Sequence, residues 1–298
     1  MKLNTDKLVK LTVMGEISHP TLRKTGYVTT ADGKVEAYPS VGGITTNRRI
    51  GDSAIDLMAD HVEPGVSIRN SGPSVGDYSP NGGLNVLSCI GNRAIVTSGD
   101  SKGAEGFVTG KHGGVDHVMI DFGTDVLLKL QIGDKIHIQS FGTGLRLLDH
   151  YPEILVMNID PDLLRVMNIT EKAKTLAVGV THIIPAKLMG SGLGSASVYS
   201  GDYDIQMFDP KTVRRNRLSS LRFGDVVAII DSDASFGWIY REGAITIGII
   251  VHSNSVISGH GPGVTTIMTS GAGKIRPVID KKANLKNYLR SSLLKSKD

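Results

Sequence analysis

Residues 244–253 read AITIGIIVHS, a run of apolar and β-branched side chains interrupted by a single central glycine. Val, Ile and Thr have a restricted choice of side-chain conformations and pack well on a pleated surface, so this run predicts a β-strand. Because nearly every position is apolar, we expect the strand to be buried on both faces. Similar runs occupy residues 8–15, 116–122, 134–141, 175–184, 225–231 and 264–270, which predicts a mainly β protein.

One element occurs twice in the chain. LQIGDKIHI at residues 130–138 and LRFGDVVAI at residues 221–229 share the pattern apolar-x-apolar-Gly-Asp-x-apolar-x-apolar. Glycine provides the turn backbone and aspartate can accept hydrogen bonds from the following amides, a combination common where a strand enters a small barrel. We therefore predict two β-barrel or sandwich-like domains, with few short helices and an amphipathic helix at the C-terminus.

The length of 298 residues exceeds that of a typical single core and favours two domains. We place an N-terminal β domain at residues 1–155, a barrel-like C-terminal domain at 156–280, and a basic amphipathic helix at 281–298. Two shorter helices are predicted at Ser53–His61 and at Asp160–Val166, where Asp followed by Pro is typical of a helix start. The terminal helix is predicted because Leu285, Tyr288, Leu289 and Leu293 fall on one face.

The positive net charge is concentrated at the end of the chain. Residues 272–298 hold eight Lys or Arg and two acids, a balance of +6, whereas the whole chain carries +4, so the remainder carries −2. The near-neutral body makes nucleic acid an unlikely partner, and the tail is best explained as a solvated helix. The chain has no run of about 18 apolar residues and no secretory signal, which argues against a membrane.

Cys89 is the only cysteine in the sequence. A single cysteine excludes an internal disulfide and any zinc or iron–sulfur site built from several thiolates. Its setting, NVLSCIGN, is typical of a buried strand residue rather than of an activated nucleophile. We therefore predict a cytoplasmic protein.

Three motifs resemble known sites but lack required residues. GSGLGS at 190–195 is followed by no helical pattern, which excludes a dinucleotide fold and leaves a loop. GAGK at 271–274 lacks both the first glycine and the final hydroxyl of a phosphate-binding loop. Asp231 and Asp233, with Glu242 downstream, imitate a calcium loop, but Phe236 replaces its glycine; a cation or catalytic role and a plain hairpin loop both remain open.

Histidines at strand ends are the better chemical candidates. HGGVDH at residues 112–117 brings His112, Asp116 and His117 together around a Gly-Gly turn, a candidate metal-ligand set or a structural turn. His252 ends an apolar strand and His260 lies in the loop GHGPG, where a titratable group beside glycine suits a pocket, or simply caps a strand. If His117, His182 and His252 met, they would form a tris-imidazole metal site.

Three segments carry a resemblance to a known family. THIIPAKLMGSGLGS (181–195), GAITIGIIVHSNSVISGHGPGVTTI (243–267) and EGFVTGKHGGVDHVMIDF (105–122) together resemble a prokaryotic family of unknown function. The resemblance implies a mainly β protein with N-terminal and C-terminal parts covering nearly the whole chain. The last segment is also similar to the acetamidase and formamidase group of metal-dependent amidases, which implies hydrolysis of small C–N bonds.

Two functions follow as hypotheses. The first is a metal-assisted, hydrolase-like enzyme that acts on a small polar molecule and uses a divalent metal. Its candidate catalytic residues are His252, His260, Asp231 and Asp233, and its candidate metal ligands are His112, Asp116, His117, His182 and His252. The second is a non-catalytic protein that binds a small ligand or assembles into a homo-oligomer.

Overall fold

The computed structural model confirms a mainly β protein and describes residues 1–22, 26–39, 41–148, 151–172, 174–190 and 197–289. The first half contains the strands β1 (Leu11–Ile17), β2 (Val28–Thr29), β3 (Val35–Glu36), β4 (Ile44–Thr45), β5 (Gly65–Arg69), β6 (Arg93–Val96), β7 (Glu105–His112), β8 (His117–Asp121) and β9 (Lys135–Ser140). The second half contains β10 (Leu155–Val156), β11 (Ile169–Lys172), β12 (Thr175–Val180), β13 (His182–Pro185), β14 (Tyr203–Asp204), β15 (Val226–Asp233), β16 (Ile239–His252), β17 (Gly263–Ser270) and β18 (Ile275–Ile279).

Six strands of the first half close into a barrel. The sheet runs in the order β1-β9-β6-β7-β8-β5-β4, and an additional pairing of β1 with β5 closes the ring. Strand alternation places Val118 and Ile120 of β8 in the barrel interior, whereas Met119 between them joins the core of the other half. The barrel is therefore apolar on its inner face and also packs through part of its outer face.

The second half is built around β16, which pairs with β15 on one side and β17 on the other. β10 and β14 both pair with β17, and β13 adds to β15 in parallel. A separate three-stranded sheet has the order β11-β12-β18. Residues of both sheets share one apolar cluster, which also takes in Ile50, Ile90 and Met119 from the first half.

The two halves meet where β7 packs against β16 and β17. Gly110 in β7 permits this approach, because a Cβ at that position would overlap the side chain of Val251 in β16. Thr265 of β17 donates a hydrogen bond from its hydroxyl to the carbonyl oxygen of Lys111 over 3.1 Å. This contact places the end of β7, at His112, beside the end of β16, at His252.

A fully buried lysine, Lys111, joins segments of both halves. Its Nζ donates hydrogen bonds to Oδ1 of Asn158 at 2.8 Å and to the carbonyl oxygens of Tyr199 at 2.5 Å and Val86 at 3.5 Å. Burial lowers the pKa of the Lys111 ammonium to about 8. Lys111 thus donates hydrogen bonds to three oxygen atoms at the junction of the two halves.

The repeated Gly-Asp element forms the same turn twice. Gly133 and Gly224 have φ of 90° and 82°, in the region that favours glycine. The aspartates that follow accept a hydrogen bond from the amide three residues before them: Asp134 from Gln131 at 2.8 Å, and Asp225 from Arg222 at 2.9 Å. The turn feeds a strand as predicted, but in these bonds the aspartate side chain binds a preceding amide rather than a following one.

The helices are α1 (Pro80–Leu87), α2 (Thr124–Leu127), α3 (Pro161–Val166) and α4 (Pro210–Arg215), with 3-10 turns at Thr5–Lys7, Ala186–Leu188 and Leu218–Ser220. The prediction at Asp160–Val166 is confirmed, and Asp160 caps α3 by accepting from the amide of Asp162 at 2.7 Å. Among the described residues, no helix has the length and apolar character needed to cross a bilayer.

The helix predicted at Ser53–His61 is wrong. This segment forms turns and bends, and Asp56 and His61 have φ of 60° and 50°, which a right-handed helix does not allow. The amide of Ala54 donates instead to the carbonyl oxygen of Leu221 in the second half. The C-terminal helix is present at residues 285–289, where Leu285, Tyr288 and Leu289 are buried as predicted. Leu293 and the loop at 191–195 lie outside the described residues.

Candidate metal centre

Four histidine rings meet where the ends of β7 and β16 come together. His112 is the last residue of β7, His252 is the last residue of β16, His260 lies in the loop before β17, and His61 lies in the bend before β5. The ring centroids are 4.3 Å apart for His112 and His252, 4.9 Å for His61 and His252, 5.0 Å for His61 and His260, and 5.5 Å for His61 and His112. We call these four residues the histidine cluster.

Two aspartates approach the cluster from β14 and the residues just before it. Asp202 and Asp204 are two residues apart, and in an extended chain this spacing puts both side chains on one face. Both carboxylates are buried, and glycine amides hold them: Gly113 donates to Oδ1 of Asp202 at 2.7 Å, and Gly261 donates to Oδ2 of Asp204 at 3.1 Å. The glycine loops therefore fix the carboxylates through their backbone.

Three side-chain atoms form what we call the outer triangle. Nε2 of His61 lies 3.1 Å from Nδ1 of His260 and 3.5 Å from Oδ2 of Asp204, and the last two atoms are 3.1 Å apart. Ligands at about 2.1 Å from a metal ion lie about 3.0 to 3.5 Å from one another in octahedral or tetrahedral geometry. The three distances match that spacing. The His260 side chain is 30% exposed, so this triangle faces solvent.

A second group of atoms, the inner triangle, lies deeper. Nε2 of His252 is 2.7 Å from Oδ2 of Asp202 and 3.5 Å from Oδ1 of Asp204. The three residues bring one ligand atom each to within 4.8 Å of one another, as do His61, His112 and His252. His252 is completely buried, and the side chain of Asp202 is 4% exposed. The inner triangle is therefore closed off from bulk water.

Two atoms of the inner triangle have no hydrogen-bond partner within the described part of the chain. These are Oδ2 of Asp202 and Nε2 of His252, and although they are 2.7 Å apart, their geometry is not that of a hydrogen bond. The two atoms face each other as an ion pair. Buried polar atoms in native proteins are nearly always hydrogen-bonded, so the lack of a hydrogen bond at both atoms favours a ligand beside them. Both atom types are metal ligands.

In three of the cluster histidines, the ring nitrogen Nδ1 contacts an oxygen atom, and Nε2 is the other ring nitrogen. Nδ1 of His112 contacts Oε1 of Glu63 at 2.5 Å, Nδ1 of His61 contacts Oδ2 of Asp60 at 3.2 Å, and Nδ1 of His252 contacts the carbonyl oxygen of Ser253 at 2.9 Å. Such partners fix the ring orientation and leave Nε2 for a metal, as in carboxylate–histidine–metal arrangements. The rings are thus held with Nε2 available.

Glu63 connects the cluster to a fifth histidine. It is fully buried, and its carboxylate contacts Nδ1 of both His112 and His117, the latter at 2.9 Å. Ser67 donates a further hydrogen bond to it from its hydroxyl. His117 is therefore linked to the cluster through Glu63, whose carboxylate contacts both His117 and His112.

The buried charges shift one another's pKa values. Burial raises the pKa of Glu63, but His117 and His112 outweigh it, so the pKa falls well below its usual value. Burial likewise raises the pKa of Asp204, but the neighbouring His252, His260 and His61 bring it well below normal. Burial lowers the pKa of His252, whereas Asp202 and Asp204 raise it to well above normal. The carboxylates of Glu63 and Asp204 are therefore ionised, and a metal ion bound by His252 would replace the proton that the raised pKa keeps on this ring.

The structure brings three of the predicted residues together. His112, His252 and His260 are members of the cluster, although they belong to two different candidate groups in the sequence. His117, from the same turn as His112, is within reach of Glu63 rather than of the aspartates. The pairing of β7 with β8 explains this, because His112 and His117 are opposite each other across the turn.

The remaining predicted residues lie elsewhere. His182 contacts the carbonyl oxygen of Arg217 at 3.2 Å and the hydroxyl of Ser220 at 3.0 Å, so the tris-imidazole set of His117, His182 and His252 does not form. Asp116 is exposed with φ of 54°, and its carbonyl accepts hydrogen bonds from Asn81 and Asn85.

The acidic hairpin at Asp231 and Asp233 is also distant from the cluster. Asp231 accepts from the amide of Gly243 at 2.9 Å, and Asp233 forms an ion pair with Arg241 at 2.6 Å. Asp233 pairs with Ile239 at the first residue of β16, whereas His252 is the last residue of that strand. The two aspartates therefore serve the hairpin, at the opposite end of the strand.

Sequence reasoning missed His61, Glu63, Asp202 and Asp204. For the two aspartates, the signal that could have found them is the spacing of two in Asp-Tyr-Asp at 202–204, whereas His-Val-Glu at 61–63 is bent at His61, with φ of 50°. Two polar groups at this spacing in an extended segment share a face and can act on one site. Both motifs lie outside the Gly and His segments on which the predicted site was built.

Comparison with other proteins identifies a family whose function is unknown. A model described as "Domain of unknown function (DUF4438), N-terminal" matches residues 27–165, and its C-terminal counterpart matches residues 166–289. The models meet at 165/166, against the predicted boundary at 155/156. No curated protein matches the chain. A crystal structure, that of TM1086, is 48% identical and has a TM-score of 0.90, with 97% of this chain and 99% of that chain covered.

Proposed function

The chain belongs to the DUF4438 family of unknown function, and from its histidine cluster we propose that it is a metal-dependent, hydrolase-like enzyme acting on a small polar molecule. Six side chains would hold the metal: His61, His112, Asp202, Asp204, His252 and His260. Imidazole and carboxylate ligands of this kind suit Zn²⁺, Mn²⁺ or Fe²⁺.

The single observation that carries the proposal is the buried ion pair of Oδ2 of Asp202 and Nε2 of His252, two atoms that make no hydrogen bond within the described part of the chain. A buried polar atom without a hydrogen bond costs about 1–3 kcal/mol. A divalent cation satisfies both atoms at once, and its charge offsets that of the ionised carboxylates. The spacing of the outer triangle supports the same reading, since its three distances match those between ligands of one ion.

Hydrolysis of a small substrate is the reaction that a metal ion at this cluster would support. A divalent cation held by such ligands would lower the pKa of water enough for attack near neutral pH. In that reaction the water oxygen bonds to an electrophilic carbon, the bond to the leaving group breaks, and a proton passes to the leaving atom. Among the cluster histidines, His260 has the largest exposure at 30%, so the substrate would approach from its side.

The proposal is tested by metal content and by one matched pair of variants. Wild-type protein purified without an affinity tag should contain stoichiometric Zn, Mn or Fe, and chelation should abolish hydrolysis of small amides or esters until the metal is restored. His112→Ala should weaken Zn²⁺ binding by more than about 100-fold, since it removes a ligand rather than its support. His182→Ala is the control, because His182 binds Ser220 and Arg217 outside the cluster.

Three results would count against this function. Calorimetry that detects no binding of Zn²⁺, Mn²⁺ or Fe²⁺ to the wild type would contradict the metal dependence. An equal loss of metal affinity in His112→Ala and His182→Ala would contradict the assignment of the histidine cluster as the metal site. Tightly held metal whose removal changes no hydrolysis would favour the non-catalytic ligand-binding alternative.

Glu63→Gln is expected to weaken Zn²⁺ binding by about 10–100-fold while the fold is retained. The neutral amide keeps the shape of the side chain but cannot accept from Nδ1 of both His112 and His117 as the carboxylate does. Isothermal titration with Zn²⁺ measures the effect. Ser67→Ala is the control, since it removes the third contact of Glu63 and leaves both imidazole contacts in place. An unchanged affinity in Glu63→Gln would show that Glu63 does not support the centre.

A further inference from the structure

We propose that the centre holds two metal ions, bridged by the carboxylate of Asp204. This inference rests on the proposed function and states how many ions the cluster takes. The outer ion would be bound by His61, His260 and Oδ2 of Asp204. The inner ion would be bound by His252, Asp202 and Oδ1 of Asp204, with His112 at its side.

The two oxygen atoms of Asp204 face different ligand sets. Oδ2 lies 3.1 Å from Nδ1 of His260 and 3.5 Å from Nε2 of His61, whereas Oδ1 lies 3.5 Å from Nε2 of His252. One ion could use a single carboxylate oxygen and leave the other free. Here both oxygens have ligand atoms at the spacing that separates neighbours in one coordination sphere, which is the arrangement of a bridging carboxylate.

The ion pair of Asp202 and His252 locates the inner position independently of the outer triangle. Oδ2 of Asp202 and Nε2 of His252 are both completely enclosed, and neither belongs to the outer triangle. An ion held only by His61, His260 and Asp204 would leave both atoms without a bound ion. His112 stacks on His252 with ring centroids 4.3 Å apart, against 5.5 Å from His61, which assigns it to the inner side.

Buried negative charge favours cations at the centre. Asp202 and Asp204 are buried, and in the part of the chain that the structure describes their ion-pair partners are all histidines. Buried charge is expensive unless it is balanced, and metal ions that replace the histidine protons would balance it. Two ions about 3.5–4 Å apart can then contact both the attacking water and the leaving group of a substrate.

Equilibrium dialysis against Mn²⁺, followed by elemental analysis and electron paramagnetic resonance, tests the inference on the wild-type chain. We expect two Mn²⁺ per chain and the spectrum of an exchange-coupled pair. His260→Ala removes an outer ligand and Asp202→Asn an inner one, so each should bind one Mn²⁺ per chain and lose the coupled spectrum. The two variants act on opposite sides of Asp204, which makes them matched controls for each other.

The outcomes separate this inference from the proposed function. Saturation of the wild type at one Mn²⁺ per chain with an uncoupled spectrum, while metal-dependent hydrolysis persists, would overturn the second ion and leave the proposed function standing. Absence of any bound Mn²⁺, Zn²⁺ or Fe²⁺ in the wild type would overturn both. Because the wild-type stoichiometry needs no variant, failure of a variant to fold does not affect this test.

Discussion

Gly263→Ala is expected to abolish metal binding at the inner triangle, because it displaces two of the proposed ligands there. A Cβ at this position would overlap both Nε2 of His252 and Oδ2 of Asp202. Neither group can retreat, because both are buried and Gly263 pairs directly with His252 and Asp204 in the sheet. Since two ligands are displaced together, we expect the affinity for Zn²⁺ to fall by more than about 1,000-fold, beyond the 10–100-fold typical of an outer partner. Isothermal titration measures the loss.

Gly248→Ala is the matched control for this substitution. It lies in β16, and its Cβ would overlap the side chain of Val264 in β17, within the same pair of strands. Such crowding costs about 1–3 kcal/mol of stability but touches no ligand. We therefore expect a lower melting temperature in Gly248→Ala with metal binding intact. An unchanged Zn²⁺ stoichiometry and affinity in Gly263→Ala, or an equal loss in Gly248→Ala, would contradict the assignment of the inner triangle.

Lys111→Ala should lower the free energy of unfolding by about 4 kcal/mol or more. Truncation of a long buried side chain leaves a cavity, which costs about 2–5 kcal/mol. It also leaves Oδ1 of Asn158 and the carbonyl oxygen of Tyr199 without their lysine donor, and each unsatisfied acceptor costs about 1–3 kcal/mol. Chemical denaturation at pH 7 measures the difference. Lys111→Met keeps the volume and should lose less, so an equally large loss in both variants would show that the cavity is unimportant.

The pH dependence gives an independent check on the same lysine. The pKa of Lys111 is about 8 in the folded chain, below the ordinary 10.5, so the folded state binds the proton more weakly than the unfolded state. Stability from this group therefore rises with pH between about 8 and 10.5, by about 3 kcal/mol in total. The stability difference between wild type and Lys111→Ala should widen over that range. A constant difference would mean that the ammonium is not desolvated in the folded protein.

Local pattern was enough to predict the strands β1, β8, β9, β12, β13, β15, β16 and β17, but not β7 or the short strands. The alternation in DHVMIDF correctly separates Val118 and Ile120, which face the barrel interior, from His117 and Met119 on the other face. The repeated Gly-Asp turn and the buried face of residues 285–289 also follow from spacing alone. These features are determined by neighbours within a few residues, which a single sequence displays.

The bent structure of Ser53–His61 could not be predicted from local sequence, because the interactions that prevent a helix there involve residues far away in the chain. The segment has a helical composition, but Ala54 bonds to Leu221 and His61 turns toward Asp204. Tertiary contacts of this kind override local propensity. The result is a bent segment that places His61 at the cluster.

The candidate site was only partly predictable for the same reason. His112, His252 and His260 could be selected as histidines beside glycine loops, but nothing local distinguishes them from His182, which the sequence places at the end of a similar apolar run and the structure places at the start of β13. The difference is set by which strand ends pack together, through the contact of Gly110 with Val251. The carboxylates were missed because their role appears only once β14 pairs with β17.

The proposed metal ligands come from both halves of the chain, which would make each half depend on the other. His61 and His112 come from the part matched by the N-terminal family model, whereas Asp202, Asp204, His252 and His260 come from the part matched by the C-terminal one. A crossover between distant relatives near residue 165 would combine ligands shaped by different ancestors, and coordination tolerates errors of only about 0.5 Å. A recombinant chain would therefore keep the proposed centre only if its two halves came from closely similar sequences. Selection would then favour inheritance of both halves together.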